Sequence, residues 1–292
     1  MISRQTFRTG TDKIIFGFIY LFSALALIPF LILVLDLLKK GIRQINFDFF
    51  TRASPSPSDA ILSQMGSEII PGGILNGIYG SFYIVVIAIL LAVFPGVMTG
   101  IYLFENRKNR FSRLVQDANA ILYGMPAIII ALFVYLTVVN TFHGFSAFAG
   151  AVALAITLFP MITRATKESL KQLPGYLKES GLALGGSYTG VMLKIIMPAA
   201  WKLWLSGLLM AVARTLGKTT PLILTALGST MVNWDISKPT ATVTLLIWKF
   251  FNNPNMVDMM WSASLFLFVS VISLVMIAKH IARQWETQIF YG

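Results

Sequence analysis

The amino-acid sequence predicts an all-α polytopic membrane protein with six transmembrane helices. Three observations carry that reading: a composition too apolar for water, six stretches long enough to cross a bilayer, and basic residues gathered at their flanks. Of 292 residues, 56% are hydrophobic and 12% charged, against about 25% charged in a soluble domain. Half the usual polar surface is missing, so lipid is the solvent for much of the chain. No polar stretch is long enough to bury a core of its own, and residues 1–292 read as a single membrane domain.

A hydrocarbon layer of ~30 Å needs about 20 helical residues. The first span, about 14–38, carries no charge from Ile14 to Leu35. It is too long for a signal peptide, whose apolar region is ~7–15 residues, so it reads as a retained anchor. The second, about 75–104, contains Pro95-Gly96 as a kink. The third, about 114–139, is broken at Gly124-Met125-Pro126. The fourth, about 145–165, is rich in Ala and Gly. The fifth, about 199–227, carries charges, and the sixth, about 261–281, is uninterrupted. Segments 39–74 and 228–260 are polar enough to lie outside the membrane. Within the second of these, Ala241 to Phe251 is apolar but too short to cross, and reads as interfacial or packed on the bundle.

The net charge of +11 would suggest nucleic acid in a soluble protein. Here the basic residues flank apolar runs, which sets orientation instead and leaves no nucleic-acid reading. With the N-terminus inside, 15 of the 23 Lys and Arg fall on inner segments and six on outer ones. That bias places both termini on the cytoplasmic side, against a dissenting cluster at Lys39, Lys40 and Arg43. Cysteine is absent, which excludes disulfides and thiolate metal sites. His143 and His280 have no carboxylate or second histidine at ligand spacing, so no metal site is expected.

Between the fourth and fifth spans the chain reads LPGYLKESGLALGGSYTGVMLKIIMP, from Leu173 to Pro198. Pro174 suits a helix start, Tyr176 to Leu184 favour helix, and Gly185-Gly186 supply a left-handed stop. Ser187 can then cap a second helix with Val191, Ile195 and Ile196 on its apolar side. The product is a helical elbow at the membrane surface. In the fifth span, Arg214 and Lys218 are four apart, hence on one face of a continuous helix. Cations inside a bilayer cost at least ~2.5–3.5 kcal/mol each and face a bundle interior or wet cavity. Their counter-charge must come from a partner subunit, water screening or an anionic substrate. A guanidinium binds oxyanions bidentately, and the Thr215 and Thr219 hydroxyls could add to such a pathway. Gly217-Lys218-Thr219 is not a nucleotide loop, because the earlier glycine position is Val212 and the preceding segment is a membrane helix.

Glu179-Ser180-Gly181, then Gly185, Ile195 and Met197-Pro198, resemble the EAA loop of ABC importer permeases, here about 168–198. Gly181 stands for the second Ala and Met197 for the Leu. From about Ile74 the chain is similar to the PstA-type permeases of phosphate importers. The similarity is carried by Gly73 to Ser81, by Pro95 with Ile101-Tyr102-Leu103, and by Gly124 to Ile128 with Leu132 to Tyr135. Phe145 to Gly150 through Pro160, Arg164 and Glu168 continue it.

The resemblance implies the type I ABC importer permease architecture in a bacterial or archaeal cytoplasmic (inner) membrane. It implies a non-enzymatic subunit with no cofactor of its own, ATP and Mg being held by a partner ATPase. Glu179, Ser180, Gly181, Leu182, Ala183, Gly185 and Ser187 would dock on that ATPase (a PstB-like dimer). A homologous second permease (PstC-like), an external phosphate-binding protein (PstS-like), phosphate and the lipid bilayer complete the partners. Arg214 and Arg164 carry over as pathway residues. The family usually has Gly-Glu-Thr-Ala-Pro where this chain has Gly217-Lys218-Thr219-Thr220-Pro221, so an Arg–Glu pair is lost. A permease for molybdate, sulfate or phosphonate is the alternative within the class. A passive anion channel or membrane sensor would explain the basic span but not the loop.

Overall fold

The computed structural model describes residues 2–56, 58–59, 61 and 69–290, and side chains within 16–284 of these. Positions 57, 60 and 62–68 of the expected 39–74 segment, and the side chains of Arg4, Arg8 and Lys13, lie outside the described residues. Every described element is helical.

Helix α1 (Ile2–Gly41) leads through the short α2 (Phe47–Thr51) to α3 (Leu75–Glu105). Helix α4 (Arg110–Gly124) and α5 (Ala127–Val134, prolonged by a π turn over Tyr135–Val139) together make one bent unit. Gly124-Met125-Pro126 turns the chain by 98° between them, because proline lacks the N–H that would continue the ladder and its ring clashes with the preceding turn. Helix α6 (Ala147–Lys171) follows, capped by Ser146, whose hydroxyl accepts the Ala149 N–H at 3.1 Å. The elbow, α7 (Tyr176–Ala183) and α8 (Tyr188–Val191), runs through a π turn (Met192–Ile196) into α9 (Met197–Leu216). A single turn, α10 (Thr220–Ile223), and then α11 (Val243–Phe251) precede α12 (Val257–Phe290). Among the described residues five helices are long and apolar enough to cross a membrane, six if α4–α5 is one bent span.

Helix α6 is the hub, packed on α3, α4, α5 and α9. Many of its core positions are small (Ala147, Gly150, Ala151, Ala155 and Thr163 are buried), set among the larger Leu154, Leu158 and Ile162. On α3, Gly96 and Gly100 face it. A Cβ at Gly100 would lie 2.5 Å from the Thr166 Cβ and 2.8 Å from the Thr163 carbonyl oxygen. Lipid offers no hydrophobic gain for helix association, so close backbone approach supplies the dispersion energy instead. Two hydroxyls of α6 return to their own helix: Thr157 donates to the Leu154 carbonyl (2.8 Å) and Thr166 to that of Ile162 (2.9 Å).

The elbow lies at the end where α3 and α6 finish. At the opposite end, the 42–56 and 228–242 segments and α11 form a cap over Phe49, Ile74, Leu246, Phe250 and Met256. Asn76, 1% exposed, pins it. Its Oδ1 accepts the Ser54 N–H (3.0 Å), and its Nδ2 donates to the Ser229 carbonyl (2.7 Å) and to Ser54 Oγ (3.1 Å). Ala241 to Phe251 thus packs on the bundle, with α11 against α3 and α12.

The structure departs from the single fifth span expected over 199–227. Helix α9 stops at Leu216, and the chain turns at Gly217 before α10. Pro221 disfavours continuation, since its ring would be set against the Gly217 carbonyl four residues back.

Candidate functional site

The elbow sits on a small apolar seat. Leu170, Val191, Met192, Ile196 and Ala200 are buried together, with Ile101 and Phe104 of α3 and Leu173 and Leu177 packed around them. Gly181 is the buried residue of α7, and a Cβ there would stand 3.0 Å from Val191 and Ile195. A small residue is therefore needed for the corner to close. Gly185 takes φ +80, the left-handed region that glycine enters without steric cost. Ser187 Oγ accepts the Gly190 N–H at 3.2 Å and caps α8. Glu179, Ser180, Leu182, Ala183, Gly185 and Ser187 are exposed at the tip. So is Leu184, at 89%, an apolar position of the elbow that was not among the expected contact residues.

A second feature lies beside α6. A cavity of about 310 Å³ opens between α4 and α6, lined on its polar side by Gln116, Asn119, Tyr123, Arg164, Lys167 and Glu168. Lys167 Nζ donates to Gln116 Oε1 at 2.9 Å. Tyr123 is the meeting point of the site. The Arg164 guanidinium lies 5.8 Å from its ring centroid, within cation–π range, and Arg214 Nη1 donates to its hydroxyl at 3.3 Å. Taking ~1.5 Å per residue, Arg164 stands about 10 Å from the elbow end of α6 at Lys171, and Arg214 about 25 Å along α9 from Met197. Two arginines from different helices thus share one phenol, and all three side chains are exposed on the single chain. At the α4–α6 seam Asn119 Oδ1 and Thr163 Oγ1 are buried without a hydrogen-bond partner among the described residues.

The remaining pathway candidates are not gathered there. Thr215 is 1% exposed and its hydroxyl donates to the Ala211 carbonyl at 2.8 Å, so it is turned into its own helix. Lys218 and Thr219 lie in the break between α9 and α10. Arg214 and Lys218 therefore do not share a helical face, because the helix that would align them ends between the two. Sequence reasoning missed Tyr123, since an aromatic residue near a span end is ordinary and only the 98° turn after it sets α4 alongside α6.

Residues 96–287 match the family described as the binding-protein-dependent transport system inner membrane component. The chain is 35% identical over 252 residues to the phosphate transport system permease protein PstA of Haemophilus influenzae, covering 86% of each. It is 34% identical to PstA of Xylella fastidiosa, over 81% of this chain and 80% of that one. The chain belongs to the PstA-type permease family. This permease is also similar in fold to the methionine ABC transporter MetNI, solved in inward-facing conformations. The match has a TM-score of 0.58 at 16% identity and covers 70% of this chain and 94% of the other. An amino acid ABC transporter solved with histidines matches with a TM-score of 0.53 at 15% identity, over 71% and 92%. The fold is that of an ABC importer permease, and the chain is a multi-pass, non-enzymatic transporter subunit.

Proposed function

We propose that this permease forms half of the translocation pathway of an ATP-driven inorganic phosphate importer, with the elbow on the cytoplasmic side. The observation that carries the reading is the convergence of Arg214 and Arg164 on Tyr123 beside a cavity lined by further polar side chains. Guanidinium groups offer forked N–H donors matched to oxyanions, and each is costly in lipid unless an anion or water answers it. The names of the curated relatives support phosphate as that anion.

In this reading a homologous permease (PstC-like) supplies the other half of the pathway. An external binding protein (PstS-like) delivers phosphate, and an ATPase dimer (PstB-like) holding ATP and Mg closes against the elbow. Glu179, Ser180, Leu182, Ala183 and the Gly185–Ser187 corner present the contact, and Leu184 adds an apolar tip to it. Closure of the motor moves the elbow, and the bundle switches access.

Arg214→Ala tests the pathway role. In proteoliposomes of the assembled importer, labelled phosphate uptake should fall by about a hundredfold, the loss expected when a preorganised donor to an anion is removed, at unchanged assembly. Uptake that survives the change removes Arg214 from the pathway. Competition by molybdate, sulfate and phosphonate in the same assay sorts the oxyanions.

A further inference from the structure

Four ion pairs among the described residues join neighbours three or four positions apart on exposed surface: Asp36–Lys40, Asp48–Arg52, Glu168–Lys171 and Asp235–Lys238. Glu105–Lys178 differs in kind. It spans 73 positions, its Nζ–Oε2 separation is 2.5 Å, and the two side chains are 14% and 32% exposed. Glu105 is the last residue of α3, and Lys178 lies in α7, next to Glu179. The Lys178 ammonium also stands 4.9 Å from the Tyr188 ring centroid, so it touches both arms of the elbow and the end of α3. Glu105 Oε1 is buried with no hydrogen-bond partner among the described residues. The Tyr188 hydroxyl also faces this carboxylate, so Lys178 is its ion-pair partner and Tyr188 a second polar neighbour.

The elbow has two kinds of attachment. It is covalently joined at both ends, to α6 through the short 172–175 link and to α9 through the π turn at Met192–Ile196. A π turn is a locally weakened part of the helical ladder and a recurrent feature of functional sites. Toward α3 the attachment is the apolar seat and this ion pair. Helix α3 is in turn bound tightly to α6 through Gly96 and Gly100. Helix α6 carries Arg164, whereas α9 carries Arg214.

We propose that Glu105 is a positioning residue for energy coupling: its ion pair with Lys178 latches the elbow to the α3–α6 body, so that motion of the elbow is expressed as movement of α9, and of Arg214, relative to Arg164. The proposal rests on the transport reading for its consequence and on the ion pair alone for the latch. Without the latch the elbow swings on its seat and motor closure is spent locally. The surrounding low-dielectric setting makes the loss of one partner costly, because the other is left half-buried and unpaired.

Two readouts separate the latch from the transport reading. In the purified chain, hydrogen exchange across residues 176–191 should accelerate about tenfold or more in Glu105→Gln and in Lys178→Met, the scale set by breaking a largely buried pair. It should stay near wild type in Lys178→Arg and return toward it in the swapped pair Glu105→Lys with Lys178→Glu. In the reconstituted importer, phosphate taken up per ATP hydrolysed should fall about fivefold or more in Glu105→Gln, a modest coupling energy, while ATPase association holds. Unchanged exchange in both single variants overturns the latch. Faster exchange with an unchanged uptake ratio overturns its role in coupling. An importer inactive as wild type would count against the transport reading, with the exchange comparison still deciding the latch.

Discussion

Helices α1 and α6 both announce themselves as membrane spans, yet they occupy opposite extremes of the molecule. The apolar stretch of α1 is the more hydrophobic and none of it is buried, whereas 67% of the stretch in α6 is. Helix α1 touches the rest of the bundle near its C-terminal end, where Gly41 closes on Leu265 and Trp261 of α12 and Lys40 lies 4.8 Å from the Trp261 ring centroid. Apolarity in a membrane protein reports contact with lipid. Contact with protein is reported by glycine, alanine and threonine, whose small size lets helices close on one another. The arginine site lies on the packed body, and the bare arm carries no part of it.

That contrast can be broken from either side. The largest effect is expected at Gly100, where a leucine side chain would have to occupy space held by Thr166 and by the Thr163 backbone. Overpacking costs ~1–3 kcal/mol when neighbours can shift, and more where they cannot. Gly100→Leu should therefore abolish a monodisperse peak in detergent size-exclusion, or lower the thermal midpoint sharply. A well-folded Gly100→Leu protein would show that the α3–α6 seam is looser than described. The smallest effect is expected on α1. Leu31 is 55% exposed in the absence of lipid, and Leu31→Ala should change the thermal midpoint of the isolated chain by no more than ordinary surface substitutions do, within about 0.5 kcal/mol. A large loss there would mean that α1 is packed after all.

The hydropathy pattern made the helical class and most of the long elements legible, because a run of twenty apolar residues has few other uses. The elbow was legible too, since Pro174, Gly185 and Ser187 each have a local backbone reason for their place. What the sequence could not show is pairing between distant positions. Gly96 and Gly100 are one helical turn apart and visible as such, but the partner they close upon is known only from α6. Glu105 and Lys178 look like two surface charges until α3 and α7 are placed side by side. Tyr123 gains its role from the sharp turn after Gly124. Lys218 shows the reverse: its spacing from Arg214 suggested a shared face, and the helix ends before that face can form.

In the proposed coupling the elbow rides with α3 and α6 while α9 shifts against them. The chain contains no cysteine, so paired spin labels can be introduced without background. In the assembled importer, the distance between labels at Lys108→Cys and Thr189→Cys should stay constant between nucleotide-free and ATP-trapped states. The distance between Lys108→Cys and Gly217→Cys should change by about 2 Å or more, the scale of helix shifts in switching transitions. A first distance that changes while the second stays fixed would contradict the account.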